Sequence, residues 1–144
     1  MKHRVLVIDD DPFDQALIRT AFQRAGSEVD VQLVPDVGVA IGSIMERRLP
    51  SLLLVDLKLG YESGIELIQW VRSRPDFSWL PMVVLSGSDD PADIREAYAA
   101  GANAYLRKPD DLEGLEVLVR QLDNFFLKAA ELPFSSDTIP FTQS

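Results

Sequence analysis

Residues 5–12 read VLVIDDDP: four apolar residues run directly into three consecutive carboxylates, and a proline follows. A short apolar run without polar alternation is the pattern of a strand covered on both faces. Pro12 suits the first turn of a helix, and apolar Phe13, Ala16, Leu17, Ala21 and Phe22 then recur at helical spacing. The stretch therefore reads as strand, acidic turn, helix. The acidic turn poses a problem. Two carboxylates ~4 Å apart repel by ~1 kcal/mol in water and by ~4 kcal/mol at an effective dielectric of ~20. A bound cation, a raised pKa, or side chains that splay apart would relieve it.

The same alternation continues outward. Strands are expected at Arg4–Ile8, Val29–Val34, Ser51–Val55, Met82–Leu85 and Ala104–Arg107. Helices are expected after Pro12, from a cap at Asp36 to before Pro50, over Ile65–Arg72, over Pro91–Ala100 and over Leu112–Leu127. Gly60–Gly64 reads as a loop. Five rounds of strand then helix predict an α/β fold, a parallel sheet with helices on both faces. Residues 129–144 lack periodicity and read as a C-terminal tail without an output domain, whose Phe134, Ile139 and Phe141 suit docking.

The chain has 144 residues, 47% of them apolar, a formal charge of -9 and no cysteine. That is one domain's length with enough apolar material for a core. The acidic balance argues against phosphate-backbone recognition, so no nucleic-acid partner is expected. Disulfides, thiol catalysis and zinc-thiolate sites are excluded. No run approaches the ~18 apolar residues of a membrane span, and MKHRVLVIDDD is too short in apolar residues for a signal peptide. A cytoplasmic protein is expected.

In an open parallel sheet, ligands bind beyond the carboxyl ends of the strands. Asp9, Asp10 and Asp11 stand there on the first strand, Asp56 on the third, Ser86 and Gly87 on the fourth and Lys108 on the fifth. Asp11, nearest the helix, reads best as its cap. The others suit a hard cation such as Mg²⁺, which prefers one or two carboxylates plus waters and phosphate. A carboxylate beside a cation and an ammonium can attack phosphorus, while a hydroxyl and backbone N–H groups hold the phosphoryl oxygens. Asp56, alone between Val55 and Leu57, is the candidate nucleophile; Asp9 and Asp10 suit the cation. Gly87 is expected to keep the mouth of the site open.

The segments IDDDP, LLLVDLKLGYESG, VVLSGS and GANAYLRKP, in this order, resemble the receiver domains of two-component response regulators over residues 2–127. The resemblance implies a flavodoxin-like sheet of order 2-1-3-4-5 and a receiver unit over residues 1–128. It implies that Asp56 is the phosphoacceptor for a sensor histidine kinase. It implies that Asp9, Asp10, Asp56 and the backbone carbonyl of Lys58 hold Mg²⁺, and that Ser86, Gly87, Leu57 and Lys108 cradle the phosphoryl group, with a cis Lys108–Pro109 bond. Ser86 and Tyr105 would form a switch pair that remodels the face of the fourth helix, fifth strand and fifth helix. Lys58 and Ser88 stand where such domains tune hydrolysis. A lysine over the phosphate is expected to hinder water and lengthen the phosphoryl lifetime. Such a protein catalyses only its own phosphorylation and dephosphorylation and is not otherwise an enzyme.

Two positions depart from the family's habit: Gly60 where proline is common and Ser63 where an acid is common. Neither touches the chemistry. RSRPDFSWLPMVVLSGS, GANAYLRKPDDLEGL and NFFLKAAELP are similar to stand-alone regulators paired with bacterial phytochromes. That implies a light-regulated kinase partner and a homodimer, with an unidentified protein downstream. Surplus apolar residues on the last helix (Leu118, Phe125, Leu127) and Trp79 suit such a surface, whereas Trp70 is expected in the core. His3 is expected to be solvated. Two rival readings remain at this point. One is a haloacid-dehalogenase-type phosphatase with Asp9 as nucleophile and Asp11 as acid/base. The other is a receiver-like binding module that works without phosphate.

Overall fold

The structure, a computed structural model, describes residues 3–46 and 49–133; Phe134, Ile139 and Phe141 lie outside the described residues. Five strands form one parallel sheet: β1 (Arg4–Ile8), β2 (Asp30–Val34), β3 (Leu52–Val55), β6 (Met82–Ser86) and β7 (Ala104–Arg107). Strands β4 (Lys58–Leu59) and β5 (Glu62–Ser63) make a small antiparallel hairpin where a plain loop was expected. Gly60, with φ +65°, supplies its left-handed turn residue. The sheet order β2-β1-β3-β6-β7 is the expected 2-1-3-4-5 once the hairpin strands are left out of the count.

Helices α1 (Pro12–Arg24), α2 (Val37–Met45), α3 (Gly64–Ser73), α4 (Pro91–Ala100) and α5 (Leu112–Leu122) alternate with the strands. Each opens on a side-chain cap. Asp11, Asp36, Ser63, Asp90 and Asp111 accept from backbone N–H groups two or three residues on, at 2.9, 2.8, 3.2, 2.9 and 2.7 Å respectively. Four of the acidic residues thus serve the backbone rather than a ligand.

The period-2 geometry of β1 sorts its side chains. Leu6 and Ile8 join the layer under α2, α3 and α4, with Leu53, Val55, Ile68, Phe77 and Val84. Val5 and Val7 join the layer under α1 and α5, with Ile18, Phe22, Leu54, Val83 and Val119. β1, β3 and β6 are buried along their whole length, which is why those strands read as continuous apolar runs. Trp70 is half-buried against the first layer, in contact with Phe77 and under the Arg74 guanidinium.

The final helix differs from its expected form. α5 passes at Asp123 into π-helical turns running to Ala129. The wider turn carries Leu127 into the core and leaves Phe125 outward, 60% exposed. Of the surplus apolar residues named above, Phe125 and Trp79 are exposed, Leu118 is half-buried, and Leu127 is core. His3 is not simply solvated: its Nδ1 lies 2.9 Å from Ser51 Oγ, which ties β1's start to the β3 approach.

Candidate functional site

The parallel topology brings the carboxyl ends of β1, β3, β6 and β7 to one edge. A cleft of about 460 Å³ opens there, lined by Phe13, Asp14, Asp56, Lys58, Ser86, Gly87, Ser88 and Lys108 among others. The three acidic residues of the opening stretch part company. Asp9 continues β1 inward and is 1% exposed. Asp11 turns back to cap α1. Asp10 is exposed and faces the hairpin, where an ideal Cβ on Gly60 would stand 3.7 Å from its Oδ2. Splaying is therefore part of the answer to the crowded charge.

Lys108 is the other part. Its Nζ donates to Asp9 Oδ2 at 2.7 Å, to Asp56 Oδ2 at 3.0 Å and to Asp14 Oδ2 at 3.2 Å. Burial alone would lower the pKa of this ammonium. The hydrogen bond it donates to Asp9 and the charges of Asp56 and Asp9 outweigh burial and raise it above the ordinary lysine value of 10.5. The lysine is thus held as a cation. Asp9 is raised above 3.8, chiefly by burial, against the hydrogen bonds from Lys108 and from the Asp11 N–H. Asp14 belongs to the site, and sequence reading missed it. It stands three residues beyond the strand-end cluster, at a position where an acidic residue in a first helical turn needs no further reason.

Asp56 is placed by β3. Its N–H donates to the Ile8 carbonyl at 3.0 Å, and its Oδ1 accepts from the Lys58 N–H at 3.3 Å. Gly64 makes this corner possible: a Cβ there would stand 2.2 Å from the Asp56 carbonyl oxygen. One oxygen from each of Asp9, Asp10 and Asp56 lies within 4.8 Å of the others. Neighbouring ligand oxygens around Mg²⁺ lie ~3 to ~4 Å apart, given metal–oxygen distances of ~2.1 Å. An all-oxygen set at this spacing, with Asp10 free to move, fits a hard divalent cation after a small contraction. Asp9 is a poor nucleophile: it is buried beneath the site, whereas Asp56 lines the cleft that a phosphodonor would enter. That geometry removes support from the dehalogenase-type reading.

Ser86 is buried at the end of β6, and its Oγ accepts from the Ser88 N–H at 3.3 Å. Gly87 faces open space: a Cβ there would meet nothing within 4 Å, so no protein contact forces glycine at that position. The Ser88 hydroxyl donates to Asp93 and accepts from the Asp90 N–H, bracing the turn that leads into α4. Tyr105 is half-buried, and its hydroxyl donates to the Ser88 carbonyl at 2.8 Å. Its own N–H, on the open edge of β7, donates to Tyr98 Oη at 3.1 Å. Lys58 is exposed at the rim, and the Leu57 side chain is buried. The described residues contain no cis peptide bond, so the Lys108–Pro109 bond is trans, against expectation; trans is the lower-energy form, and Lys108 reaches all its partners from it.

Residues 5–120 match the family model of the response regulator receiver domain. The chain belongs to that family. An uncharacterized 14.6 kDa protein from the sodA1 3′ region of Leptolyngbya boryana is 38% identical over 117 residues, which span 81% of this chain and 87% of that protein. Response regulator Rcp1 of Synechocystis is 26% identical over 136 residues, spanning 90% of this chain and 92% of Rcp1. Its Mn²⁺-bound form superposes with a TM-score of 0.77. The phosphorylated cyanobacterial phytochrome response regulator RcpA superposes with a TM-score of 0.86 at 28% identity, covering 93% of this chain and all of RcpA. Receiver domains are phosphorylated on an aspartate, work with sensor histidine kinases and bind divalent cations at an acidic pocket. This receiver has the acidic cluster for that. Among its described residues no helix is long and apolar enough to cross a membrane.

Proposed function

We infer that this receiver accepts a phosphoryl group on Asp56 from a sensor histidine kinase in a Mg²⁺-dependent transfer. One observation carries the assignment. Asp56 is the carboxylate that lines the cleft, faces the Lys108 ammonium at 3.0 Å, and shares an oxygen cluster with Asp9 and Asp10. An Asp56 oxygen forms a bond to phosphorus while the donor's bond to phosphorus breaks, and the electron pair leaves with the donor. Lys108 neutralises charge on the transferred oxygens. Ser86 Oγ and the backbone N–H groups of Leu57 and Gly87 receive them. Asp9, Asp10, Asp56 and the Lys58 carbonyl would hold Mg²⁺, and the ion would supply further charge neutralisation for the transfer.

The readout runs through the loop after β6. Ser86 moves toward the phosphoryl group, the Ser88 carbonyl moves with it, and Tyr105 follows through its hydroxyl. That changes the face of α4, β7 and α5. Exposed Val117 and Phe125 on the last helical stretch support self-association there. The likeness to RcpA, a cyanobacterial phytochrome response regulator, supports a bacterial phytochrome as the kinase. A homodimer acting in the cytoplasm on another protein completes the reading. Residues 1–128 form the receiver unit in this reading, and its only chemistry is on itself.

The test is direct. Incubation with Mg²⁺ and acetyl phosphate should add one phosphoryl group to Asp56, seen by mass spectrometry after borohydride trapping. Chelation of Mg²⁺ or Asp56→Asn should abolish it, and light scattering should report the labelled form as a dimer. Labelling of Asp9, or labelling that survives Asp56→Asn, would overturn the assignment.

A further inference from the structure

We propose that Asp14 is a positioning residue for phosphoryl transfer, holding Lys108 on line with Asp56 and setting how readily an anionic donor enters the cleft. The inference rests on Asp56 being the acceptor. The bland account of Asp14 is an acid favoured near a helix start. The geometry goes further. The cap of α1 is already supplied by Asp11, which accepts from the Phe13 N–H at 2.9 Å. Asp14 instead turns its carboxylate to a lysine 94 residues away in sequence, at 3.2 Å. Its side chain is 32% exposed, while that of Lys108 is 11% exposed, so Asp14 bridges the cleft's buried floor and its rim.

A lysine ammonium has three N–H donors. Here they are matched one to one by Asp9, Asp56 and Asp14, so the ammonium cannot swing without losing a charged partner. When an Asp56 oxygen bonds to phosphorus and acetate leaves acetyl phosphate with the electron pair, one N–H turns from Asp56 to a phosphoryl oxygen. Asp9 and Asp14 keep the other two and fix its direction. The same carboxylate adds a negative charge at the rim that the donor must pass.

These two effects separate by substitution. Asp14→Asn keeps an oxygen acceptor for Lys108 and removes the charge; Asp14→Ala removes both. At low salt, Asp14→Asn should lower the half-saturating concentration of acetyl phosphate by about three- to tenfold, and the gain should shrink at ~1 M salt. Its saturating rate should exceed that of Asp14→Ala, because the amide oxygen still accepts from Lys108. Asp14→Ala should show the same easier entry with a saturating rate lowered by about fivefold, because Lys108 is no longer aimed. In the cation-free protein, exchange of the Lys108 ammonium protons with solvent, followed by NMR, should be faster in Asp14→Ala than in Asp14→Asn. A merely structural role would move neither the split nor its salt dependence. Wild-type saturating rate in Asp14→Ala, or an unchanged half-saturation in Asp14→Asn, overturns the proposal while labelling of wild type at Asp56 continues. Absence of label on wild-type Asp56 instead overturns the acceptor assignment beneath it.

Discussion

Replacing Gly64 with alanine should damage both stability and phosphorylation, although the residue carries no chemistry. An ideal Cβ at Gly64 stands 2.2 Å from the Asp56 carbonyl oxygen and 2.7 Å from Val55 Cγ1. Relief needs a separation of about 1 Å before ordinary contact is restored. The obstructing atom is backbone at the end of β3, and the Gly64 N–H is itself bonded to the Leu57 carbonyl at 2.9 Å. The strain therefore passes to Asp56 and Leu57 rather than to a flexible side chain. Overpacking of this kind costs ~1–3 kcal/mol, occasionally more, and the backbone clash places Gly64→Ala at about 3 kcal/mol on that scale. For a domain near this size each kcal/mol lowers Tm by ~2–4 °C, so a fall of about 6–12 °C is expected. A shift of ~1 Å in a reacting group can cost ~100-fold in rate, so labelling of Asp56 by acetyl phosphate should slow by one to two orders of magnitude. Circular dichroism melts and time-resolved intact-mass measurements read the two effects. A Tm within ~2 °C of wild type, outside any real overpacking penalty, would refute the reasoning.

Three further outcomes follow from the site. In the cation-free protein the Asp9 carboxyl is raised above 3.8, chiefly by burial. Its contribution to stability is therefore fullest below pH 3.8 and is lost as pH rises through the raised folded value. The stability of Asp9→Asn relative to wild type should climb with pH across that window and then level, in urea titrations with chelator; a flat difference would contradict it. Tyr105→Phe deletes the 2.8 Å bond to the Ser88 carbonyl and should cost about 1 kcal/mol in denaturant unfolding. Because Tyr98 accepts from the Tyr105 N–H, Tyr98→Phe should combine non-additively with it, and strict additivity would argue against a shared network. Lys58→Ala should shorten the phosphoryl lifetime, measured as phosphate release after donor removal. An unchanged rate would end the idea that this rim lysine hinders water.

Much of the site was legible because a parallel sheet sends every strand's carboxyl end to one edge. Once VLVIDDDP, LLLVD, VVLS and YLRKP are read as parallel strands, Asp9, Asp56, Ser86 and Lys108 must converge. Asp11 as a helix cap was legible too, since capping is set by adjacent residues. The hairpin over Lys58–Ser63 was not: two short pairs of residues carry no periodicity, and its form depends on Gly60 and on contact with the site. The π-helical end of α5 was equally hidden, because the apolar stripe fits either helix until the core accepts Leu127 and leaves Phe125 outside.

What sequence alone determined is therefore the alternation of the five main strands and helices, a parallel sheet covered on both faces, and the identity of the strand-end polar groups. These depend on local propensity and on apolar runs that only burial can satisfy. Which polar group pairs with which was decided by tertiary structure. Asp14 joins Lys108 across 94 residues, Ser88 is taken up by Asp93, and Asp9 sinks while Asp10 stays out. Hydrogen bonds and charge depend on ångström distances between distant segments, and those distances exist only after the two apolar layers have closed on the sheet.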